Sequence, residues 1–204
     1  MDTVILIATH GDDRWKAMGD ACFEDHSDRF SSDEITVVWH HRSDGTLAEV
    51  RNEAVDSAPQ GVEWLCFVDA DDFLEDGYFD AMTAADPVGP HLYAPAVRYG
   101  AGSDPIVFRD RNIRSMNPCV IGTLIHADMF TAVGGFWEER AWEDWSLFRR
   151  AWLLGAEVRF VEDAVYRANS DLTGRNSRVR HPEQLHREII HSHERWLRNQ
   201  GTYT

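Results

Sequence analysis

Three carboxylates lie directly after an apolar segment of the chain, in the sequence Asp69-Ala70-Asp71-Asp72. Alternate carboxylates at the end of a strand can turn toward one point beyond the sheet. Two carboxylates in that position suit Mg²⁺ or Mn²⁺, hard cations that bind a few protein oxygens and leave positions for substrate phosphates. A metal bound there neutralises the charge that develops on a leaving diphosphate. Acidic residues also end strands and cap helices, so this pattern alone does not decide between a catalytic and a structural role.

The first ninety residues alternate between strand-like and helix-like segments. Apolar or β-branched runs predict buried strands, and apolar residues at helical spacing predict helices. The predicted strands cover 3–8, 35–39 and 63–68, and the predicted helices cover 12–23, 46–57 and 77–85. This alternation predicts a mostly parallel sheet with helices on its faces, which binds ligands at the carboxyl ends of its strands. Polar residues fall at those ends, namely His10, Asp12, His40, His41, Asp69 and Asp71.

The second half of the chain is less regular. Strands are predicted at 91–99, 105–109, 120–126, 157–161 and 164–166, and helices at 128–133, 142–154 and 182–198. The polar segment 169–180 is predicted to be a loop. The histidines of the last helix, His186, His191 and His193, lack the i, i+4 spacing of helical zinc motifs. We therefore expect them to be solvated or to pack against a partner subunit of an oligomer.

The composition disfavours several classes of partner. The chain has 204 residues and a formal net charge of -15, from 20 basic and 35 acidic residues. A surface this acidic repels nucleic acid and anionic membranes, and an anionic ligand needs local cations or a metal. Cys22, Cys66 and Cys119 form no CxxC pair, which argues against a disulfide framework and favours a reducing compartment. The apolar run 4–8 is too short for a signal peptide or a membrane span, so we expect a cytoplasmic protein.

Four short motifs occur in an order that is more specific than any one of them. They are Arg51-Asn52, Asp69 to Asp72, Gly134-Gly135-Phe136, and Glu143-Asp144 followed by Arg149-Arg150. The combination resembles glycosyltransferase family 2, the nucleotide-sugar-dependent transferases of the GT-A fold, and the opening ATHGDDRW is similar to the first strand and loop of that family. The resemblance covers about residues 3 to 170. It implies an α/β protein with a single domain, a GT-A (Rossmann-like) α/β/α sandwich around a mostly parallel central sheet.

The same resemblance implies a domain organisation and an activity. Residues 1–170 are expected to form the transferase domain, with a nucleotide-binding half at 1–90 and an acceptor half at 91–170. Residues 171–204 are then a C-terminal loop and helix packed on or near that domain. The implied activity is inverting transfer of a sugar from a nucleotide sugar, with UDP favoured, using Mn²⁺ or Mg²⁺.

The sequence also bears on the class of acceptor and on alternative functions. A protein, a glycan or a small molecule can be the acceptor, whereas the net charge disfavours nucleic acid. A sugar-phosphate nucleotidyltransferase requires a basic, Gly-rich phosphate loop, and the segment ATHGDD has one glycine and no lysine. The alternative is a GT-A-like binding module that has lost turnover.

The family also implies roles for the acidic cluster and the donor pocket. Asp71 is expected to bind the metal, and Asp69 to support it or to contact the donor ribose. The residues placed around the donor are Thr9, His10, Asp12, His40, Arg51, Asn52, Asp69, Ala70 and Asp72. Arg51 supplies positive charge beside phosphate, unless it is an ordinary surface arginine of its helix. Many members have a histidine after the last core strand, where this chain offers Asn169, with His181 or Asp171 as further candidates for a metal contact.

The second acidic pair, Glu143-Asp144, opens a predicted helix. An inverting transferase needs a base for the acceptor hydroxyl, and a carboxylate is sufficient because that proton becomes acidic only as the new bond forms. The resemblance assigns the base to Asp144 and acceptor binding or loop orientation to Glu143. Both residues also favour a helix N-terminus through its dipole, by about 0.3–1 kcal/mol. Trp142 and Trp145 flank the pair and are candidate acceptor contacts, since aromatic rings stack on sugars, although tryptophan is often a core residue.

Overall fold

The apolar run at the start of the chain forms a buried strand, β1 (Thr3–His10), between two parallel neighbours. In the computed structural model, which describes residues 1–100, 102–169 and 179–200, these neighbours are β2 (Ile35–Arg42) and β3 (Trp64–Val68). Helices α1 (Asp13–Phe30) and α2 (Leu47–Asp56) connect the three strands. This half confirms the predicted alternation of strands and helices.

The rest of the sheet is mixed. It contains β4 (Phe73–Leu74), β5 (Leu92–Tyr99), β6 (Leu124–His126) and β7 (Val158–Ala168), and the strand order is β2-β1-β3-β6-β5-β7-β4. β6 is antiparallel to β3 and β5, β4 is antiparallel to β7, and β5 is parallel to β7. The prediction of a mostly parallel sheet is therefore wrong, because short apolar strands such as β6 carry no direction signal in the sequence. The α/β class and the single domain are confirmed.

The pairing directions bring the ends of five strands to one edge of the sheet. Because β6 is antiparallel to both β3 and β5, β5 runs in the direction of β3, and β7 runs parallel to β5. The carboxyl ends of β1, β2, β3, β5 and β7 therefore share one edge, which we call the carboxyl edge. At this edge the register pairs Tyr99 of β5 with Ala168 of β7. Sheets of this kind bind ligands at such an edge.

The remaining helices are α3 (Tyr78–Ala84), α4 (Ala127–Ala132), α5 (Glu143–Leu153) and α6 (Pro182–Asn199). α5 is buried along most of its length. The predicted C-terminal helix is confirmed as α6, which inserts Leu185 and Ile189 into the hydrophobic core. The last described helix is therefore part of the same packed body as the sheet.

A buried chain of hydrogen bonds joins α6 to α5. Arg149 donates to Nδ1 of His193 across 3.0 Å, so Nε2 carries the imidazole proton and donates it to Ser146 Oγ across 2.9 Å. Ser146 in turn donates to the Glu139 carboxylate across 3.0 Å. Burial, followed by the charges of Arg150 and Arg149, lowers the pKa of His193 to about 3. The prediction that His193 is solvated or faces a partner subunit is wrong, because its own chain buries it completely.

Several predicted boundaries differ from the structure. α1 continues to Phe30 instead of ending at residue 23, and the buried His26 on its later turns bonds to the Cys22 carbonyl. The strand predicted at 105–109 makes only an isolated bridge between Ile106 and Val97. Local sequence also gave no sign of β4, which is only two residues long, or of the continuity of β7, which merges the segments predicted at 157–161 and 164–166.

Candidate active site

A buried arginine, Arg51, joins the two acidic motifs at the carboxyl edge. Its Nη2 donates to Asp69 Oδ1 across 2.5 Å, and its Nη1 donates to Glu143 Oε1 across 3.2 Å. The guanidinium also lies over the ring of Phe136, 5.0 Å from the ring centroid. Arg51 is only 4% exposed, so the alternative of an ordinary surface arginine is wrong. The structure thus brings together the Asp69–Asp72 and Glu143-Asp144 motifs, as the common site predicted for them requires.

The start of α2 determines where Arg51 lies. The Thr46 hydroxyl accepts a hydrogen bond from the Glu49 N–H, and the Glu49 carboxylate accepts one from the Thr46 N–H. This capping box fixes the first turn of α2. Burial disfavours the charge of Arg51, yet the neighbouring Asp69 and Glu143 carboxylates raise its pKa above the ordinary value. Arg51 is therefore a permanent cation of the site.

Asn52 follows Arg51 on α2 and holds the Gly-Gly-Phe loop. Its Nδ2 donates to the Phe136 carbonyl across 3.0 Å, and its Oδ1 accepts from the Phe136 N–H across 2.9 Å. This approach requires a glycine at position 135, where φ is +65° and a Cβ would lie 2.6 Å from Asn52 Oδ1. The contact of Asn52 with a donor stays a prediction, while its role in positioning the loop is visible in the structure.

The acidic cluster forms a tight turn at the end of β3, closed by a 2.9 Å hydrogen bond from the Asp72 N–H to the Asp69 carbonyl. The Asp72 carboxylate is buried and accepts from the Tyr166 hydroxyl and the Asn169 N–H, each across 2.6 Å. Burial and the nearby charge of Asp69 raise the pKa of Asp72 to about 7. Asp72 thereby ties the turn to the end of β7, and its contact with a donor stays a prediction.

The carboxylate oxygens of the turn suit a metal ion whose coordination is completed by a bound ligand. Asp69, Ala70 and Asp71 are half-buried at the carboxyl edge. Mg²⁺ and Mn²⁺ commonly bind one or two carboxylates and complete their coordination with substrate phosphates and water. Across the described parts of the chain, His, Cys, Asp and Glu form no group of three or more that could hold a metal. A metal at Asp69 and Asp71 therefore needs oxygen atoms from the ligand.

Three positions were predicted to offer a further metal contact, and the structure describes two of them. Asn169 is exposed and meets the acidic turn through its backbone N–H, which donates to Asp72. His181 is exposed at the N-cap of α6. Asp171 lies outside the described residues. Metal binding by the side chains of Asn169 and His181 stays a prediction.

Glu143 and Asp144 form the first turn of α5, as predicted for acidic residues at a helix N-terminus. The Asp144 Oδ2 accepts a hydrogen bond from Asn117 Nδ2 across 2.7 Å. Burial, followed by the charge of Glu143, raises the pKa of Asp144 to about 7. A carboxylate that titrates near neutral pH is suited to accept a proton during a reaction.

The two tryptophans beside this pair have different environments. Trp142 caps α5 with a left-handed backbone, φ 56° and ψ 37°, which costs a non-glycine residue about 1–3 kcal/mol and is typical of functional sites. Its ring is half-buried and lies 4.3 Å from the ring of His186. Trp145 is completely buried and donates its indole N–H to the Ile113 carbonyl across 2.9 Å. The prediction of an acceptor contact by Trp145 is wrong, because its ring has no accessible face.

Two of the predicted donor residues lie at the end of β1. Thr9 is buried, and its hydroxyl lies 3.0 Å from Nδ1 of His41 and accepts from the Trp39 indole N–H across 3.3 Å. His10 is half-buried at the last position of the strand. Both residues are at the carboxyl edge, as predicted, and their contacts with a donor stay predictions.

Asp12 and His40 also lie near this edge, and each has a protein partner. Asp12 is the N-cap of α1 and accepts hydrogen bonds from the first turn of that helix. Nε2 of His40 lies 2.9 Å from the Glu53 carboxylate. Hydrogen bonds from His40 and Arg42 lower the pKa of Glu53 and outweigh its desolvation. Donor binding by Asp12 and His40 stays a prediction.

Three residues of this site could not be assigned to it from the sequence. Asn117 lies in an irregular segment that carries no periodicity, and the hydroxyl contact of Tyr166 joins residues far apart in the chain. Tyr99 is 45% exposed at the end of β5. Burial raises the pKa of Tyr99 against the charge of Arg111, and the charges of Asp72 and Asp144 raise it further. An exposed aromatic residue at a strand end was the only signal available for Tyr99.

Comparison with known proteins adds a fold relationship. No protein-family model and no curated protein sequence matches the chain. The structure is similar to Staphylococcus aureus TarS, with a TM-score of 0.59 and 16% identity over 95% of this chain and 43% of TarS. It is also similar to TarS 1-349 in complex with UDP-GlcNAc, with a TM-score of 0.59 and 15% identity over 95% of this chain and 66% of that one. TarS is a GT-A-type glycosyltransferase, so the chain has a glycosyltransferase-like fold.

The low sequence identity and the partial coverage of TarS limit what this similarity shows. At such low identity the match concerns the fold and not the chemistry. The chain spans 43% of the matched TarS chain. Within the described residues, no helix is both long and apolar enough to cross a membrane.

Proposed function

We propose that this protein is an inverting, metal-dependent glycosyltransferase of the family 2 type that uses a UDP-sugar or a related nucleotide sugar. The observation that carries the proposal is the double hydrogen bond of Arg51, which places the Asp69–Asp72 turn and the Glu143-Asp144 pair around one buried cation. A metal-binding end and a general base must lie close together in such an enzyme. The glycosyltransferase-like fold, and the UDP-GlcNAc bound by one structural neighbour, support the same function.

The donor side of the site is formed by the acidic turn and Arg51. Asp71 and Asp69 would hold Mn²⁺ or Mg²⁺ together with the donor diphosphate. The metal, when bound, supplies positive charge that stabilises the leaving nucleoside diphosphate. Arg51 adds a fixed cation beside the metal site, which matters in a chain whose net charge is -15. Thr9, His10, Asp12 and His40 would line the nucleotide pocket at the ends of β1 and β2.

The acceptor side contains the base. The acceptor oxygen attacks the anomeric carbon from the face opposite the diphosphate, and the bond from that carbon to the diphosphate oxygen breaks. This attack from the opposite face inverts the configuration at the anomeric carbon, and Asp144 accepts the hydroxyl proton as the new bond forms. Glu143 shares Arg51 with Asp69, so it is suited to orienting the first turn of α5 rather than to taking the proton.

Two aromatic residues are available to bind an acceptor. Tyr99 is exposed at the carboxyl edge, and Trp142 precedes the acidic pair with a half-buried ring. Aromatic faces stack on the apolar faces of sugar rings, so these residues fit a glycan or glycoside acceptor better than they fit a nucleic acid in so acidic a chain.

The test combines ligand binding with turnover. The wild-type protein is screened against nucleotide sugars with Mn²⁺, Mg²⁺ or EDTA, and both the melting temperature and the release of nucleoside diphosphate are measured. We expect one donor to raise the melting temperature only with metal, since ligands that bind the folded state stabilise it. D71N is expected to lose both effects. D80N changes an exposed acid on α3 and is the matched control.

D144N separates the enzyme from the binding module. It should keep metal-dependent stabilisation by the donor while it loses transfer. If the wild type binds a nucleotide sugar with metal but releases no nucleoside diphosphate under any condition, the inactive binding module is the correct description. If no nucleotide sugar stabilises the wild type, the proposal fails altogether.

A further inference from the structure

We infer that Asn117 is a positioning residue for the base, which fixes the Asp144 carboxylate and favours the charged form that accepts a proton. The inference rests on the proposed function only in the identity of the reaction. Its structural basis is the 2.7 Å hydrogen bond from Asn117 Nδ2 to Asp144 Oδ2. Asn117 does not belong to any of the motifs that carry the family resemblance.

The orientation of the Asn117 amide is fixed by a second contact. Its Oδ1 accepts a hydrogen bond from the Cys119 N–H across 3.1 Å. A flipped amide would direct its NH₂ group at that N–H and its oxygen at the Asp144 carboxylate, so both contacts would become repulsive. Asn117 can therefore act only as a donor toward Asp144. A donor to a carboxylate stabilises its ionised form.

The segment that carries Asn117 is fastened to the helix that carries Asp144. The Trp145 indole N–H donates to the Ile113 carbonyl across 2.9 Å, and Nε of Arg149 donates to the Arg114 carbonyl across 3.2 Å. Both donors lie on α5. The loop and the first turn of the helix are thus held together, which explains why a buried tryptophan follows the acidic pair.

Within the described residues, five other charged or titratable groups interact with Asp144, each from a different segment of the chain. They are Glu143 of α5, Arg51 of α2, Asp69 at the end of β3, Tyr99 at the end of β5, and Cys119 beside Asn117. Glu143 and Asp69 disfavour a charge on Asp144, whereas the hydrogen bond from the Trp145 backbone N–H and the charge of Arg51 favour it. Arg51 is shared by two other carboxylates. Asn117 donates to Asp144 with a side chain that lies outside this shared cluster.

The first experiment reads Asp144 directly. Side-chain carboxyl ¹³C shifts are followed by NMR from pH 4 to pH 9 in the wild-type chain, N117A and N117D, with D144N used to assign the Asp144 signal. In N117A the midpoint of the Asp144 titration should rise by about one pH unit, because a hydrogen bond to the charged form is lost. In N117D, whose side chain has nearly the same size and shape, a second carboxylate should raise it further.

The second experiment reads turnover. The acid limb of the pH profile of kcat should move upward by about one pH unit in N117A, so that kcat falls about tenfold on the acid side and less at high pH. The KM for the nucleotide sugar should stay at the wild-type value. The control is N112A, which removes the 3.0 Å hydrogen bond to the Arg114 N–H in the same loop without touching Asp144. N112A should leave both titrations unchanged.

A failure of the inference about Asn117 can be distinguished from a failure of the proposed function. An Asp144 midpoint that is the same in wild type, N117A and N117D would overturn the inference even in an active enzyme. Equal shifts in N112A and N117A would overturn it as well, since they would reveal only a loosened loop. A wild type that transfers no sugar defeats the proposed function, while the NMR titration still decides whether Asn117 controls the carboxylate.

Discussion

The guanidinium of Arg51 and the carboxylate of Asp69 form a 2.5 Å charge-assisted hydrogen bond at the end of β3. One oxygen of Asp69 is thus committed to a protein cation before any metal binds. The same guanidinium reaches Glu143 at the start of α5. One side chain therefore connects the acidic turn to the first turn of α5, which carries the proposed base.

Removal of Arg51 should destabilise the protein and disable the site. In R51A two carboxylates lose their shared cation, and Glu143 is buried, so we expect a loss of about 2–4 kcal/mol in the free energy of unfolding. R51K keeps a charge but cannot form two directed hydrogen bonds, so it should be intermediate. Urea denaturation measures both. R42A breaks the half-exposed pair with Glu53 and should change the urea midpoint much less than R51A does. A midpoint for R51A equal to that of R42A would refute the central role of Arg51.

Asp144, the proposed base, should make activity and stability depend on pH in opposite directions. The pKa of Asp144 is about 7 in the folded protein, compared with an ordinary value of 3.8. The folded state therefore holds a proton that the unfolded state releases between these values. The resulting stabilisation is fully present below about pH 4 and is lost as the pH rises through 7. Transfer should instead increase as the pH rises through 7, because the base must be ionised.

D144N tests this opposition. At pH 8 its free energy of unfolding should exceed that of the wild type by about 1–3 kcal/mol, because no charge has to be buried. The difference should vanish toward pH 4. Transfer should fall about 10²–10⁴-fold at every pH. Urea denaturation at pH 4 and pH 8, beside a transfer assay, measures each quantity. If D144N is less stable than the wild type at pH 8, burial does not destabilise the charged form of Asp144.

The contact between Asn52 and the Gly-Gly-Phe loop can be measured with two adjacent glycines. Gly134 and Gly135 have φ of +76° and +65°, so alanine strains both backbones similarly, by about 1 kcal/mol. Only at Gly135 does the added Cβ meet Asn52, at 2.6 Å, whereas at Gly134 the nearest atom is 3.7 Å away. G135A should therefore lose about 1–3 kcal/mol more than G134A in thermal or urea unfolding. Equal losses would mean that Asn52 does not hold the loop.

Tyr99 should contribute to acceptor binding and not to donor binding. Y99A is expected to raise the KM for a sugar acceptor about tenfold, since a stacked aromatic is worth about 1–1.5 kcal/mol, while donor hydrolysis without acceptor stays constant. I106A is the matched control, because Ile106 is an equally exposed apolar residue that pairs with Val97. Steady-state kinetics with varied acceptor distinguishes the two variants. An unchanged acceptor KM in Y99A would remove Tyr99 from the site.

The structural features that depend on local sequence could be predicted from the sequence alone. A continuous apolar run predicts a buried strand, so the position of Asp69 and Asp71 at the end of β3 follows directly. Helical spacing likewise places Glu143 and Asp144 at the start of α5. The order of motifs then indicated that these two regions form one site, which the double hydrogen bond of Arg51 supports.

Features that depend on contacts between distant segments could not be predicted from the sequence. The direction of β6 depends on the path of an irregular loop, so the mixed sheet was not predictable from periodicity. The spacing of Trp145 suits a core residue or an acceptor platform equally, and only the packing of the loop at Ile113 decides between them. Asn117 has no pattern around it, because its importance comes from Asp144, which is far along the chain.

The hydrogen-bonded chain between α5 and α6 sets a lower limit on the length of any working fragment. A fragment that stops at residue 170, the end expected for the transferase domain, lacks α6 and with it His193, the partner of Arg149 and Ser146. It would also expose to water the apolar surface that Leu185 and Ile189 cover, at a cost of about 25 cal/mol per Å². Such a fragment should accumulate as insoluble protein on expression. Deletion screens for a minimal soluble fragment should therefore keep residues up to 199.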